Sequence, residues 1–392
     1  MIEILQPYFD TTITNKIIYP VKINGNLYDF YMHYENENDK KMDLNLNIDG
    51  IVVMLSSIAI CNKWKITSTL PIDEKLYNNL LKLPNTYKKY HSKHTSLLSM
   101  VSYDEIELIL DLPTFNRENT IEKGLQCNIT PISMGIDSLH TILSNLQEIT
   151  HTIYINYMDV STTVDNFHEV INYFSEKYNK SLIIANSNFK ELLLLSNLPG
   201  TNYGVFMSDA ILLASCYPLG LKKLYFSGFG NSNLPCLMSQ HSDINKYFNS
   251  NEFTTCNNEI ERIKKINYIV NNDVEMIKFL YVCNTYILNN TTNIVNCSKC
   301  RKCIITLLYF HMLGYIHLLN DTFVLPTEEE LKHLMNTIHI GTNKALGTIY
   351  YDKIYEEYLK LYKNNNEEPL CEIIDNYCGK FVGEDYHLFS LT

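Results

Sequence analysis

At 392 residues the chain exceeds what one small core serves, and a prior of roughly 100–200 residues per domain points to two or three units. Hydrophobic residues at 46% and charged residues at 19% are a globular balance, and no run of about 20 apolar residues is present to span a membrane. The net charge is −11 and only three arginines occur, Arg117, Arg262 and Arg301, which disfavours a nucleic-acid partner and favours a small-molecule or peptide substrate.

The segment Met1-Ile2-Glu3-Ile4 lacks the basic and apolar runs of a secretory signal, so a cytoplasmic location is expected. With that location, Cys61, Cys216, Cys236 and Cys256 are expected to pack as small hydrophobes rather than form disulfides.

Residues 1–120 read as an N-terminal α+β domain. Period-two alternation at 27–32 and 42–48 predicts half-buried strands. A helix is expected over 50–61, a strand near 64–67, a helix over 76–83 and a strand over 105–110. His91 and His94 have no cysteine or carboxylate company and read as loop residues. From 121 to 257 the texture changes to alternating strands and helices. Strands are expected at 127–133, 152–157, 182–185 and 223–227, and helices at 138–147, 162–178, 189–195 and 206–217. Such βα units imply an α/β fold, a parallel sheet with helices on both faces, binding ligands at the carboxyl ends of its strands where the order reverses. Residues 258–392 read as a mainly helical C-terminal region.

Two groups of residues carry chemistry. The first is Ser133-Met134-Gly135-Ile136-Asp137-Ser138, between a strand and a helix. A tight turn at a helix start offers backbone N–H groups and the positive dipole end to an anion. Gly135 permits close backbone approach, Ser133 and Ser138 add hydroxyl donors, and Asp137 can hold magnesium or cap the helix. An ordinary helix N-cap is the competing reading. The second group is Cys283 with Cys297-x2-Cys300-x2-Cys303. Four thiolates at this spacing suit a closed tetrahedral zinc site that clamps the fold and leaves no open position for water. An iron–sulfur cluster is the alternative, and the compact triple followed by a helix favours zinc.

The first group resembles the Ser-Gly-Gly-x-Asp-Ser loop of the PP-loop ATP pyrophosphatases, the adenine nucleotide alpha-hydrolase superfamily. Met134 stands where that family has glycine, and a side chain there would crowd a pyrophosphate. Together with the cysteine cluster, the motif resembles the 7-cyano-7-deazaguanine synthase (QueC-like) branch, and more closely bacterial relatives with an added N-terminal domain. Those relatives end in an Asn-Cys-Gly-x-Cys-x-Lys-Cys-x-Arg-Thr pattern. Here that stretch runs from Asn296 to Thr306, with Ile305 at the arginine position. Further echoes are Ser187-Asn188-Phe189-Lys190-Glu191-Leu192, Arg262-x2-Lys265 and Ser239-Gln240-His241.

The resemblance implies an ATP-dependent adenylating enzyme that activates a carbonyl or carboxylate oxygen for a nitrogen or sulfur nucleophile. It implies ATP, Mg2+ and Zn2+ as ligands, with a homodimer as the assembly to consider. The loop 133–138 and Asp137 would hold pyrophosphate and magnesium. Tyr157, Asp159 and Asn188 would lie near the nucleoside. Arg262 and Lys265 would offset developing charge, against the alternative of a solvated helix face. His241 would act as acid, base or substrate contact, against the alternative of an ordinary loop histidine. Cys127, which could carry a persulfide, is expected instead to pack inside its strand. A non-catalytic nucleotide sensor or partner subunit is the second reading. A tRNA sulfurtransferase is the third, and the acidic balance opposes it.

Overall fold

The structure, a computed structural model, describes residues 1–36, 40–90, 102–116, 127–156, 172–195, 211–228, 242–251, 253–257, 260–283, 296–327 and 329–330. Two compact units divide the chain, one comprising Met1–Ser133 with Asp137–Arg262, the other Met134–Ile136 with Ile263–Thr392.

The first unit is organised by one sheet. Its strands are β1 (Ile2–Ile4), β2 (Tyr8–Phe9), β3 (Lys16–Ile23), β4 (Asn26–Asn36), β5 (Lys65–Thr67), β7 (Ile109–Asp111), β9 (Cys127–Pro131), β10 (His151–Asn156), β11 (Ser181–Ser187), β12 (Leu221–Phe226) and β13 (Thr254–Asn257). A separate pair joins β6 (Ile72–Asp73) to β8 (Thr114–Phe115). Across the main sheet the order is β13-β12-β9-β10-β11-β4-β3-β1-β5-β7, with β2 on β3.

From β13 to β11 every neighbour is parallel. The chain leaves β9, moves outward through β10 and β11, then returns to β9's other side for β12 and β13. With right-handed crossovers, the connections on the two sides of β9 lie on opposite faces. The carboxyl end of β9 is therefore the point where strand order reverses, where such sheets open a crevice.

The expected boundary near residue 120 runs through this sheet rather than between two bodies. β4 pairs antiparallel with β11 from Ile183↔Asn36 to Ser187↔Met32. A β3–β4 hairpin then carries the ladder onward, its two-residue turn made by Asn24 and Gly25 at φ 51° and 89°. Two successive positive φ values match strand twist in such a turn, which is why Asn-Gly occupies it. The alternating segment 42–48 is not a strand. Its Met42 N–H donates to the Asn15 side chain and its Asn45 N–H to the Pro218 carbonyl. Period-two burial thus arose from an extended segment laid on the core without a ladder partner.

Helix α1 (Asp49–Asn62) is buried along its whole length from Asp49 to Ile60, because nearly every residue from Ile51 to Ile60 is apolar or small. Lys63 ends it in a left-handed conformation. α2 (Glu74–Leu80) starts where the Asp73 carboxylate accepts the Leu76 N–H at 2.9 Å. α3 (Leu83–Tyr90) follows, a helix the composition of that segment did not signal. α4 (Ile136–Ser144) follows β9, and α5 (Lys190–Leu195) follows β11. Residues 172–178 and 211–216 are also helical, and the rest of the helices expected at 162–178 and 206–217 lies outside the described residues.

The second unit contains α6 (Arg262–Asp273, whose first residue closes the other unit), a 3-10 segment Val274–Phe279, α7 (Arg301–Met312) and a 3-10 segment Ile316–Leu319. Leu307, Leu308 and Phe310 of α7 are fully buried. Among the described residues no helix is long and apolar enough to cross a membrane.

α1 packs so closely on the 211–216 helix that a Cβ added at Gly50 would lie 2.9 Å from the Ala214 Cα. Gly50→Ala is expected to lower the urea midpoint. Overpacking costs about 1–3 kcal/mol, and the gain from helix propensity is at most about 1 kcal/mol. An unchanged or raised midpoint in equilibrium unfolding would show that the two helices part easily.

Candidate functional site

The loop 132–136 leaves β9 at the strand-order reversal. Ile132 still follows the sheet, its N–H donating to the Ile153 carbonyl at 2.9 Å. Accessibility then alternates: Ser133, Gly135 and Asp137 reach solvent, while Ile132, Met134, Ile136 and Ser138 are buried. The Ser138 hydroxyl turns back on the loop and accepts from both the Ser133 N–H and the Ser133 hydroxyl at 3.3 Å.

Met134 has φ 58°, the left-handed region that glycine adopts freely. For a methionine this costs roughly 1–2 kcal/mol, and burial of its side chain offsets part of that. Its carbonyl accepts the Tyr281 N–H at 3.0 Å. The position therefore keeps the backbone geometry that a glycine would supply. Its side chain is buried instead of reaching solvent with Ser133 and Gly135, so the crowding expected of Met134 is not imposed on the loop's accessible side.

Asp137 lies in the first turn of α4, where the dipole favours a carboxylate. It also accepts from the Arg262 guanidinium at 2.7 Å, an ion pair with each side chain about one-fifth exposed. The fold has brought together two residues 125 positions apart in the sequence. On α6, Lys265 follows Arg262 by one helical turn and is fully buried, so it does not belong to a solvated helix face.

Asn188 is engaged elsewhere. Its side-chain oxygen accepts the Tyr31 N–H at 2.9 Å, and its amide donates to the Asp29 carbonyl at 3.1 Å and to Glu191 at 3.3 Å. It staples the end of β11 to β4. Tyr157, Asp159 and the segment 239–241 with His241 lie outside the described residues, as do His91, His94 and Cys236. Cys127 is buried, donates to the Leu219 carbonyl, and has its thiol pushed up to about 12 by burial, the behaviour of a packed cysteine.

The sequence reading did not anticipate a polar chain at the carboxyl ends of β10 and β11. Asn156 donates to the Asn186 side chain at 3.0 Å, and Asn186 donates to Glu35 at 2.7 Å. Glu35 comes from β4, and no local pattern signals that an N-terminal strand reaches this end of the sheet.

In the second unit the four cysteines converge, with all four Sγ atoms within 4.8 Å of one another. Individual separations are 3.9 Å for Cys283–Cys300, 3.8 Å for Cys297–Cys303 and 3.4 Å for Cys300–Cys303. A tetrahedral zinc with Zn–S of about 2.3 Å requires S–S separations of about 3.8 Å. The spacing fits one small ion. A cluster binding each thiolate to a different iron would hold the sulfurs further apart.

The knuckle forms because Ser298 adopts φ 56°, which lets the Lys299 and Cys300 N–H groups donate back to the Cys297 sulfur at 3.4 and 3.1 Å. Cys300 then caps α7, and Cys303 sits in its first turn, where the dipole favours thiolate. Without an ion the Cys303 thiol is pushed far above its ordinary range by its hydrogen bond with Cys300, then by burial and the neighbouring sulfurs. A cation among the sulfurs reverses that balance. Four soft donors in a closed set could hold a metal ion, and zinc fits them. Ile305, at the arginine position of the pattern, is buried in α7.

The chain matches no family model, no curated protein and no solved structure.

Purified protein is expected to carry about one zinc ion per chain. Cys300→Ser should weaken zinc binding by more than the roughly 10–100-fold typical of losing an outer-sphere partner, while Cys256→Ser should leave it unchanged. Elemental analysis and competition with a chromogenic chelator measure both, and equal zinc content in all three proteins would dismiss the site.

Proposed function

We propose that the chain is a PP-loop-type ATP pyrophosphatase: an enzyme that adenylates a carbonyl or carboxylate oxygen of a small molecule or peptide, releasing pyrophosphate. The observation that carries this reading is the position of loop 133–138. It begins a helix at the carboxyl end of β9, where the strand order reverses, with Arg262 already on Asp137.

The chemistry asked of these residues is electrostatic. The acceptor oxygen attacks the α-phosphorus, the bond to the bridging oxygen breaks, and pyrophosphate leaves with the added charge. Backbone N–H groups at the start of α4 and the exposed Ser133 hydroxyl would grip the phosphates. Asp137 would hold magnesium, whose role is to neutralise phosphate charge. The Arg262 guanidinium, paired with Asp137, would then turn to the leaving group. A nitrogen or sulfur nucleophile would finally attack the carbon that bears the adenylated oxygen, and the C–O bond would break so that AMP leaves with that oxygen. The cysteine site takes no part in these steps and would hold the surrounding structure.

Met134 and Ile305, which stand where the resembled pattern has glycine and arginine, favour a second reading, in which the loop binds nucleotide without turnover. The two readings share the site and differ in pyrophosphate release.

Isothermal titration with ATP and magnesium is expected to show binding that weakens at least about tenfold, roughly 1.4 kcal/mol, in Asp137→Ala. Arg262→Gln is expected to lower pyrophosphate release more than binding. Binding without release on any carboxylate or amide acceptor would favour the sensor. No heat of binding in wild-type protein carrying its zinc would sink both readings.

A further inference from the structure

The residue that holds Met134 in its left-handed conformation and a ligand of the metal site belong to one short segment. Tyr281, whose N–H donates to the Met134 carbonyl at 3.0 Å, stands two residues before Cys283. Between Leu280 and Cys283 the backbone forms neither helix nor strand, so no ladder stiffens it. Other groups secure it instead. The Leu280 N–H donates to the Ile277 carbonyl at 3.1 Å, ending the preceding 3-10 segment. The buried Asn296 carboxamide accepts the Val282 N–H at 2.9 Å and donates to the Leu280 carbonyl at 2.8 Å. Asn296 is anchored in turn, because its amide and its backbone N–H both donate to the Thr322 carbonyl, at 3.2 and 3.1 Å. The far end of the segment is Cys283, held through sulfur.

The next residue after Asn296 is Cys297. The knuckle thus grips the segment by an amide at Leu280 and Val282, and a metal held by the four sulfurs would grip it a second time at Cys283. Removing the metal removes one of the two grips on the four residues that carry the Met134 anchor. A glycine in the loop would take positive φ unaided. A methionine pays to be there and relies on what surrounds it.

We propose that metal occupancy at Cys283, Cys297, Cys300 and Cys303 sets the conformation of the phosphate loop, acting through Leu280–Cys283 on the Met134 carbonyl, with Asn296 as the positioning residue. The cysteine site is then more than a clamp for its own unit: it makes the loop's readiness for a nucleotide's phosphates depend on zinc. This rests on the reading of the loop as a nucleotide site and of the cysteines as a metal site, but the linkage can be measured without any nucleotide.

The test is hydrogen exchange by mass spectrometry on full-length protein, with zinc, after chelator stripping, and after zinc is restored. In wild type, stripping should speed exchange at residues 134–138 about fivefold, the scale of losing one net hydrogen bond, and restored zinc should reverse it. In Met134→Gly the increase should be smaller, since the glycine holds its conformation without the anchor. Asn296→Leu should reproduce the stripped pattern in the presence of zinc, and Asn296→Asp, which keeps the acceptor for the Val282 N–H, should recover part of the protection. Unchanged exchange at 134–138 on stripping would overturn the proposal. So would an equal increase in wild type and Met134→Gly, as would follow if the whole unit came apart, with faster exchange at Leu307–Phe310. ATP titration of the zinc-loaded protein stands apart: its failure would remove the nucleotide reading and leave the exchange result to decide the linkage.

Discussion

β9 lies between β10 and β12 with parallel neighbours on both sides, and the chain passes from β9 to β10 but comes to β12 only after β11. The strand order therefore reverses at β9. The carboxyl end of a strand at such a reversal is where parallel sheets characteristically open a crevice. The loop 132–136, the start of α4 and the Arg262–Asp137 ion pair are all consequences of where that strand ends. Ser138 adds a local constraint, folding the loop back on itself through Ser133.

The N-terminal strands extend this sheet beyond its parallel half. Antiparallel pairing of β4 with β11 replaces the exposed edge that β11 would otherwise present. It also consumes Asn188, whose carboxamide bonds to the β4 backbone. In exchange, β4 brings Glu35 to the carboxyl end of the parallel strands, in line with Asn186 and Asn156. Residues 1–36 are therefore part of the same sheet as the parallel strands. Tyr34 reinforces the join, its hydroxyl donating to the Ser215 carbonyl at 2.8 Å.

In the second unit the cysteine cluster and the hydrogen bonds of Asn296 solve different problems. The amide satisfies buried backbone groups that no helix or strand pairs, a requirement that holds in any folded chain. The four sulfurs gather at a spacing that suits one small ion and that neutral thiols gain little from. Met134 is where these arrangements touch the loop. A left-handed methionine is tolerated because its carbonyl is bonded and its side chain buried, so one local cost is met by two distant contacts.

Much of this was legible before any coordinates. The cysteine set could be read from spacing, because a knuckle places its sulfurs through local backbone geometry alone. The βα alternation could be read from periodicity, since burial of one helix face and of a central strand imposes fixed repeats. Arg262 was singled out, but only the fold shows it bonded to Asp137. Other features were beyond the sequence for a common reason: they depend on which distant segment lies alongside. Segment 42–48 alternates like a strand, yet lacks a ladder partner. Lys265 could be a site cation or part of a solvated helix face from its sequence, and the fold buries it. Asn188, Glu35 and Tyr281 take their roles from β4, from β11 and from the Met134 carbonyl, none of which is near them in sequence. What the sequence by itself determined is what lies within a few residues of itself: the turn between β9 and α4, the cysteine knuckle and the period of each element. Which strands adjoin, and which side chains those neighbours engage, was decided only by tertiary structure, because pairing energy is spread over contacts that no local window contains.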